Sequence, residues 1–265
     1  MKAKIVIEKW YKLLEFPSEF DGEFFTALNS YQIDENSDIK SFDKSCKDGK
    51  KNLLSALYFC ESAANSLLEK GVPFEIVVET LKDIVVWAKT WSNLKGELYL
   101  GELNWLNYHL SGRLFRLGRL QFAFGSAEED IEKYSVKKGE LVVEVHIPEG
   151  GKLLIEDCKR SLDLAREFFA KYFPEKPFKV FTCSSWLLDK TLEKYLAPSS
   201  NVLNFAILFE RVSSKPSNAI IKYVLGWGVT LETLPSVSAT GFPERIKQAV
   251  LNGETFYETL GVIKK

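Results

Sequence analysis

Two titratable side chains, Glu144 and His146, fall on one face of a predicted strand over residues 139–148 and could do acid–base chemistry. A free imidazole titrates near neutral pH, and a carboxylate does so when it is partly buried, so either group could take a proton from a substrate. Four apolar residues alternate with this pair, as in a strand buried on one side. They are Leu141, Val143, Val145 and Ile147. In the alternative interpretation, His146 is bonded to the following turn and has no chemical role.

A glycine turn, Pro148-Glu149-Gly150-Gly151, follows this strand and precedes a long helix. The turn cannot continue a strand ladder, and its glycines accept positive φ angles at little steric cost. The helix is predicted from an apolar stripe at spacings of four and three. The stripe consists of Cys158, Leu162, Ala165, Phe169 and Tyr172. The N-terminus of such a helix can hold a phosphate group, although an ordinary βα connection is the alternative.

Three arginines, Arg113, Arg116 and Arg119, recur at intervals of three within residues 111–124. Leucine and phenylalanine are interleaved with them, and we interpret the segment as a strand. A guanidinium group can bind a phosphate or a carboxylate through two hydrogen bonds. Surface charges that flank a core strand are an equally good interpretation.

Composition and charge exclude several classes of protein. Hydrophobic residues make up 46% and aromatic residues 13% of the 265 residues, which predicts a sizeable core. The net charge of −1 argues against a nucleic-acid binder, whose affinity comes largely from phosphate neutralisation. Two histidines, His109 and His146, are too few for a multi-histidine metal centre. The four cysteines form no C-x-x-C pair, which makes a disulfide framework or zinc site improbable.

The first residues, MKAKIVIEKWYKLLEF, carry charges at several positions and lack the apolar core of a signal peptide. No apolar run approaches the ~20 residues that cross a bilayer. We therefore expect a cytoplasmic protein with no membrane partner.

The two halves of the chain differ in their pattern. Residues 1–112 are predicted to be helical, with a polar connection over residues 32–51 and one helix running from Pro73 to about Trp91. In the second half, β-rich runs alternate with helical stripes, which suggests an α/β sheet. A last helix is predicted from Pro243, and a last strand over residues 256–263.

Several stretches together carry a family resemblance. They are WLNYHLSGRLFRLGRLQF at 105–122, VHIPEGGKL at 145–153, FTCSSWLLD at 181–189 and PSSNVLNF at 198–205. They resemble the bacterial acyltransferase-domain proteins that pair a helical N-terminal domain with a domain similar to the GNAT (N-acetyltransferase) fold. The stretch at 71–91 looks like the N-terminal half of that family, so the resemblance covers roughly residues 1–225.

The resemblance implies an α+β fold with two domains. Residues 1–112 would form the helical N-terminal domain, and residues 113–265 a GNAT-like mixed α/β acyltransferase domain with a central, mostly antiparallel sheet. The pantetheine arm of acetyl-CoA or another acyl-CoA would pair with the strand backbone near Ile147. Its pyrophosphate would lie over the start of the next helix, at Gly150, Gly151, Lys152 and Leu153.

The resemblance also implies catalytic residues. Glu144 matches the position where many GNAT enzymes keep a base, with His146 beside it, and Tyr195 lies near where some keep a tyrosine acid. The typical superfamily loop reads Q/R-x-x-G-x-G/A, so this chain departs from it at Glu149, which must point away from a bound pyrophosphate.

The function implied is transfer of an acyl group from acyl-CoA to an amine acceptor, either a small molecule or a peptide. The amine attacks directly, so Cys183 and Ser185 are expected to be structural rather than nucleophilic. We expect no metal cofactor and no nucleic-acid partner. The alternative is a non-catalytic GNAT-like protein that binds a ligand or a partner.

Overall fold

The computed structural model describes residues 2–33, 39 and 45–265. The chain forms two compact units, Met1–Ala123 with Ile147–Glu149, and Phe124–His146 with Gly150–Lys265. Much of the polar connection that we predict over residues 32–51, namely 34–38 and 40–44, lies outside the described residues.

The described residues of the first unit form six α-helices. They are α1 (Lys2–Leu13), α2 (Asp21–Ser30), α3 (Gly49–Glu69), α4 (Phe74–Leu81), α5 (Asp83–Lys95) and α6 (Leu103–Leu110). Asp48 caps α3 by accepting a hydrogen bond from the Lys51 backbone at 3.0 Å. Gly96, in the left-handed conformation, ends α5. The helical prediction for this half is thereby confirmed.

The prediction of a single helix from Pro73 to about Trp91 is wrong, because the helix is interrupted at Lys82 and forms two helices, α4 and α5. Lys82 donates the last backbone bond of α4 to Val78, and its carbonyl accepts the first bond of α5 from Val85. The break has no glycine or proline, so the apolar periodicity gave no sign of it.

The arginine-containing segment folds as a hairpin and not as the one strand that we predict. Strands β1 (Leu114–Leu117) and β2 (Leu120–Ser126) pair in antiparallel register. Gly118 has a φ of 72°, as the first position of a two-residue hairpin turn requires. Side chains of β1 therefore lie next to side chains of β2 across the hairpin, for example Phe115 next to Phe122, and do not follow one another along a single strand.

The second unit alternates strands and helices. They are β3 (Leu141–His146), α7 (Ile155–Tyr172), β4 (Val180–Ser185), α8 (Asn201–Ala206), β5 (Glu210–Pro216), α9 (Ala219–Leu225), α10 (Gly241–Leu251) and β6 (Tyr257–Lys264). The sheet order is β1-β2-β3-β4-β6-β5. β3 and β4 are parallel, whereas β1–β2, β4–β6 and β5–β6 are antiparallel. These observations confirm the predicted α+β class with a mostly antiparallel sheet.

One face of the sheet packs on α7 through aromatic side chains. Phe169 of α7 lies 5.0 Å from Phe124 and 5.6 Å from Phe178 between ring centroids, and Phe178 lies 5.1 Å from Phe181 of β4. Such edge-to-face contacts add to the gain from apolar burial. This face therefore belongs to the core.

The opposite face of the sheet has an apolar part and a polar part. At one end, Val142, Val180 and Val262 pack beneath the loop that carries Ala127, Ile131 and Val136, and all six are buried. Because strand residues alternate between faces, the next positions on this same face are Glu144 of β3 and Thr182 of β4. Glu144 and Thr182 therefore lie on the same face of the sheet as the buried valine cluster and next to it.

Candidate functional site

The parallel strands β3 and β4 create the candidate site where their pairing ends. Val143 lies opposite Phe181, and Glu144 lies opposite Thr182. Both strands continue beyond these pairs, β3 to His146 and β4 to Ser185. At their carboxyl ends, β3 and β4 are therefore no longer paired with each other.

A cavity of about 210 Å³ occupies this position in the second unit. Its walls come from β3, β4, β6 and the loop after β2. The residues that line it are Ser126, Ala127, Glu128, Ile131, Glu144, Val145, His146, Thr182, Ser184, Glu258 and Leu260. The two predicted acid–base groups thus face the same cavity.

Glu144 and His146 form a hydrogen-bonded pair. The His146 Nε2 atom lies 3.3 Å from Glu144 Oε2. The two side chains are 35% and 32% exposed, so a ligand in the cavity can reach both. A carboxylate and an imidazole in contact can accept a proton and share it between them.

Gly125 of β2 gives the Glu144 side chain its place. A Cβ atom at Gly125 would overlap the Glu144 Oε1 atom and crowd the rest of its carboxyl group. Gly125 is not among the site residues predicted from the sequence. An isolated glycine inside a strand often marks a close approach, and the run FAFG is such a signal.

Three further polar residues of the cavity were missed. The Ser184 hydroxyl donates a hydrogen bond to Glu258 Oε1 at 3.0 Å. Thr182 is only 5% exposed, and no hydrogen bond to its hydroxyl occurs within the described part of the chain. Alternation in FTCSS placed Thr182 and Ser184 on one face, but only the pairing of β4 with β6 brings Glu258 to them.

The neighbouring Cys183 points to the buried face. Burial, with smaller contributions from the Glu258 and Glu144 charges, raises the pKa of its thiol. A thiol with a raised pKa is a poor nucleophile at neutral pH. Ser185 accepts a hydrogen bond from the Leu187 backbone at 3.2 Å and caps a short helix. The contacts of both residues are those of structural groups.

The turn predicted to hold pyrophosphate joins β3 to α7. Gly150 and Gly151 have φ angles of 85° and 70°, which favour glycine. Lys152 and Leu153 follow, and the N-cap residue Leu154 makes no side-chain hydrogen bond to the first turn of α7. Backbone N–H groups at this helix start are therefore not occupied by a side-chain cap.

Two acidic residues lie in the first turn of α7. Glu156 pairs with Lys159 at 3.0 Å, and Asp157 pairs with Arg160 at 3.7 Å. Carboxylates here interact favourably with the helix dipole but repel an anionic ligand.

The residues just before the glycines belong to the first unit. In that unit the Pro148 carbonyl accepts a hydrogen bond from the Arg119 guanidinium at 3.0 Å. The Glu149 carboxylate accepts one from the Thr90 hydroxyl at 3.4 Å, so it is directed towards α5. Ile147 lies immediately after β3. Arg119 thus binds a backbone carbonyl of the turn, and a phosphate or carboxylate contact of the three arginines stays a prediction.

Tyr195 lines a different cavity, together with Lys194, Arg245 and Glu254. Its hydroxyl donates a hydrogen bond to Glu254 Oε2 at 3.0 Å. Burial and this hydrogen bond raise the pKa of the hydroxyl. The structure thus brings Glu144 and His146 together but does not bring Tyr195 to them.

Within residues 2–33, 39 and 45–265, no group of three or more His, Cys, Asp or Glu side chains is arranged to hold a metal ion. None of the helices described here combines the length and the hydrophobicity needed to span a bilayer.

Several solved structures are similar to this chain. One is an acyltransferase in complex with decanoyl-CoA and teicoplanin, with a TM-score of 0.79 and 24% identity over 97% of this chain and 87% of that chain. A complex with CoA and 10C-teicoplanin gives the same values. A complex with decanoyl-CoA gives a TM-score of 0.77 and 23% identity over 97% and 86%. At these identities the similarity shows the fold. No curated protein matches the chain.

The family is shown by a match to the sequence itself. The model of the GNAT-like C-terminal domain matches residues 114–263. It therefore includes α10 and all but the last residue of β6, which lie beyond the roughly 225 residues covered by the resemblance seen in the sequence. Because the match spans more than half of the chain, this protein belongs to the GNAT-like C-terminal domain family.

Proposed function

We propose that the protein is an acyltransferase that moves an acetyl or longer acyl group from acyl-CoA to an amine. The observation that carries this proposal is the Glu144–His146 pair in a cavity where two parallel strands of a GNAT-like domain stop pairing. The similar structures, described as acyltransferases with decanoyl-CoA or CoA, support acyl-CoA as the donor. The teicoplanin held by one of them supports a small-molecule acceptor, and a peptide amine remains within the proposal.

The proposed reaction needs one proton acceptor near the amine. Glu144 or His146 takes a proton from the acceptor nitrogen, directly or through a water, as the nitrogen attacks the thioester carbonyl. A carbon–nitrogen bond forms, the carbon–sulfur bond breaks, and CoA leaves as a thiolate that takes up a proton. A backbone N–H at the end of β3 would stabilise the oxyanion.

For acyl-CoA binding we propose Ile147, Gly150, Gly151, Lys152 and Leu153. The start of α7, where the N-cap side chain makes no capping hydrogen bond, and the glycine conformations support this assignment. The direction of Glu149 towards Thr90 removes one carboxylate from the turn. In this proposal residues 1–112 form the helical domain and residues 113–265 the acyltransferase domain, and the protein works in the cytoplasm of a bacterium, where acyl-CoA is made.

Tyr195 stays the prediction for the acid that protonates the leaving thiolate. A tyrosine hydroxyl is protonated at neutral pH, as a donor must be, but the raised pKa makes Tyr195 a weaker acid than an ordinary tyrosine. In that role, Tyr195→Phe lowers kcat by about 10²-fold. If the hydroxyl serves only to bind Glu254, the same change leaves kcat intact and lowers the melting temperature.

Calorimetry followed by turnover tests the proposal. Acetyl-CoA and decanoyl-CoA are titrated separately into the full chain, and thiol release is then followed with a panel of amines. We expect saturable binding of at least one donor, and amine-dependent thiol release that falls by about 10³-fold in a Glu144→Gln, His146→Ala double variant. Absence of binding at millimolar donor would refute the proposal.

A non-catalytic binding protein is the second candidate. The acidic residues Glu156 and Asp157 in the first turn of α7 favour it, because they oppose an anionic ligand. In that case acyl-CoA does not bind, or it binds and no amine releases its thiol. Turnover that disappears in the double variant excludes this candidate.

A further inference from the structure

We propose that the cavity beside Glu144 takes its acceptor as an ammonium cation, and that Glu258 is the residue that selects it. This inference rests on the proposed acyl transfer and adds to it the charge state of the acceptor and the group that recognises it.

The titratable groups of the cavity wall are mostly acidic. Glu128, Glu144 and Glu258 line it together with His146, and neither lysine nor arginine is among its lining residues. Lys215 of β5 stands opposite Glu258 in the strand register but lies 3.7 Å from Glu128. It offsets the charge of Glu128, so the attraction for a cation comes from Glu144 and Glu258. A cation entering the cavity meets a field that attracts it.

The two carboxylate oxygens of Glu258 differ in their hydrogen bonding. Ser184 donates to Oε1 at 3.0 Å, which fixes the carboxylate in the cavity wall. Within the described part of the chain, Oε2 of Glu258 has no hydrogen-bond partner. An ammonium group has three donors and no acceptor, and it is the ligand that such an oxygen binds best.

The Thr182 hydroxyl supplies an independent sign of a ligand. Thr182 is only 5% exposed, it lines the cavity, and it stands opposite Glu144 in the strand register. No described residue bonds its hydroxyl. The Thr182 hydroxyl is not among the buried polar atoms that lack a partner, so it opens onto the cavity, where a ligand can supply its hydrogen bond. An N–H donor at this point would reach Thr182 between Glu144 and Glu258.

The size of the cavity limits what can enter. About 210 Å³ is less than the roughly 300–1,000 Å³ of sites that enclose a drug-sized ligand. Only the reacting end of an acceptor therefore fits, namely a primary ammonium on a slender carbon chain. The apolar lining residues Ile131, Val145 and Leu260 suit such a chain.

In this proposal Glu258 binds the acceptor, and Glu144 takes part in the proton transfer. The acceptor enters as R–NH₃⁺, held by Glu258 and Thr182, and gives one proton to the Glu144–His146 pair. The neutral amine attacks the thioester carbonyl, and the products are the amide, the CoA thiol and one released proton. Glu258 should therefore govern KM for the acceptor, and Glu144 should govern kcat.

Steady-state kinetics with a matched pair of small acceptors tests this assignment. Butylamine and butanol differ only in the reacting head group, and acetyl-CoA or decanoyl-CoA, whichever the wild type turns over, serves as the donor. We expect butylamine alone to react. Glu258→Gln should raise KM for butylamine by about 10- to 100-fold and leave kcat and KM for the donor within about threefold. Thr182→Val should raise the same KM by a smaller factor.

Two controls make the outcomes distinct. Glu167→Gln removes an exposed carboxylate on α7 that is remote from the cavity, and its kinetics should match the wild type. Glu258→Asp keeps the charge and should recover part of the affinity. An unchanged KM for butylamine in Glu258→Gln, with normal turnover, would overturn this inference alone. Absence of acyl-CoA binding in the wild type would overturn the proposed function and the inference with it.

Discussion

Gly125 controls the position of the Glu144 carboxylate, because the Glu144 side chain occupies the space that any Cβ at Gly125 would need. The atom that would be displaced is the end of a flexible side chain. The fold can therefore accommodate a methyl group at modest cost, whereas the carboxylate cannot stay in place.

We expect Gly125→Ala to lower kcat by about 10- to 100-fold, since a displacement of about 1 Å at a reacting group has an effect of this size. Thermal unfolding should change little. The matched control is Gly22→Ala, in helix α2, where a Cβ meets nothing within 4 Å. Normal turnover in Gly125→Ala would show that the position of Glu144 does not matter.

A second residue-scale feature is the buried carboxylate of Asp83, which is 3% exposed in the first unit. Its Oδ2 atom accepts hydrogen bonds from Trp87 and Trp105 at 3.0 and 2.9 Å and lies 3.1 Å from His109 Nε2. Gln121 donates to Oδ1 at 3.1 Å. The network joins α5, α6 and β2, and every partner is a donor to the carboxylate.

Burial by itself raises the pKa of Asp83. The charge of His109 and the donated hydrogen bonds outweigh burial and hold this pKa below its usual range. A lowered pKa in the folded state gives stability that is complete above the unfolded value of about 3.9 and is lost as the pH falls through the folded value.

Asp83→Asn is therefore expected to lower the free energy of unfolding at pH 7 by about 3–5 kcal/mol. The difference from the wild type should shrink as the pH falls below about 4, because the wild type then loses the same contribution. Urea unfolding at several pH values measures both effects. Asp163→Asn, which removes an exposed carboxylate, is the control. A pH-independent difference would argue against the charge of Asp83 as the cause.

At the scale of elements, the hairpin β1–β2 supports the turn after β3. Arg119 stands at the hairpin tip and donates to the Pro148 carbonyl, within the first unit. This bond fixes the last backbone group before Glu149 and the two glycines. If the turn holds pyrophosphate, Arg119 is a positioning residue for it.

We expect Arg119→Ala to weaken acyl-CoA binding by about 3- to 10-fold, because a hydrogen bond from a charged group is lost and the turn gains freedom. Calorimetry gives the affinity. Arg113→Ala is the matched control, since the Arg113 guanidinium stacks on Tyr108 with 4.5 Å to the ring centroid and does not contact the turn. Equal loss in both variants would indicate a general charge effect.

At the scale of the whole molecule, the proposed domain boundary separates the hairpin from helices that it contacts. The Arg116 backbone N–H donates to the Thr80 hydroxyl at 2.9 Å, and Gln121 donates to Asp83. Leu114 and Phe115 of β1 are fully buried in the intact chain. These contacts lie within the compact unit Met1–Ala123.

A fragment of residues 113–265 should therefore be less soluble than the full chain, because its first strand exposes large apolar side chains. Coexpression with residues 1–112 should restore solubility. Sedimentation of the expressed fragments measures this. A soluble, cooperatively unfolding fragment alone would show that the two proposed domains fold independently.

The sequence predicted the elements that carry a strong local pattern. The strand with Glu144 and His146, the helix stripe of α7 and the last strand near residue 256 follow from alternation, from helical spacing and from turn residues. It failed at two places for different reasons. The break at Lys82 has no glycine or proline to signal it. Gly118 is a turn signal, but the apolar alternation on both sides of it also fits one continuous strand.

Local pattern determined that Glu144 and His146 share a face, since neighbours two residues apart on a strand always do. It could not assign partners from distant segments. Glu258 reaches the cavity because β6 inserts between β4 and β5, Gly125 lies under Glu144 because β2 runs beside β3, and Tyr195 turns to Glu254 in another cavity. Strand order and register are long-range properties that depend on how the whole core packs, so only the tertiary structure decided which polar residues meet.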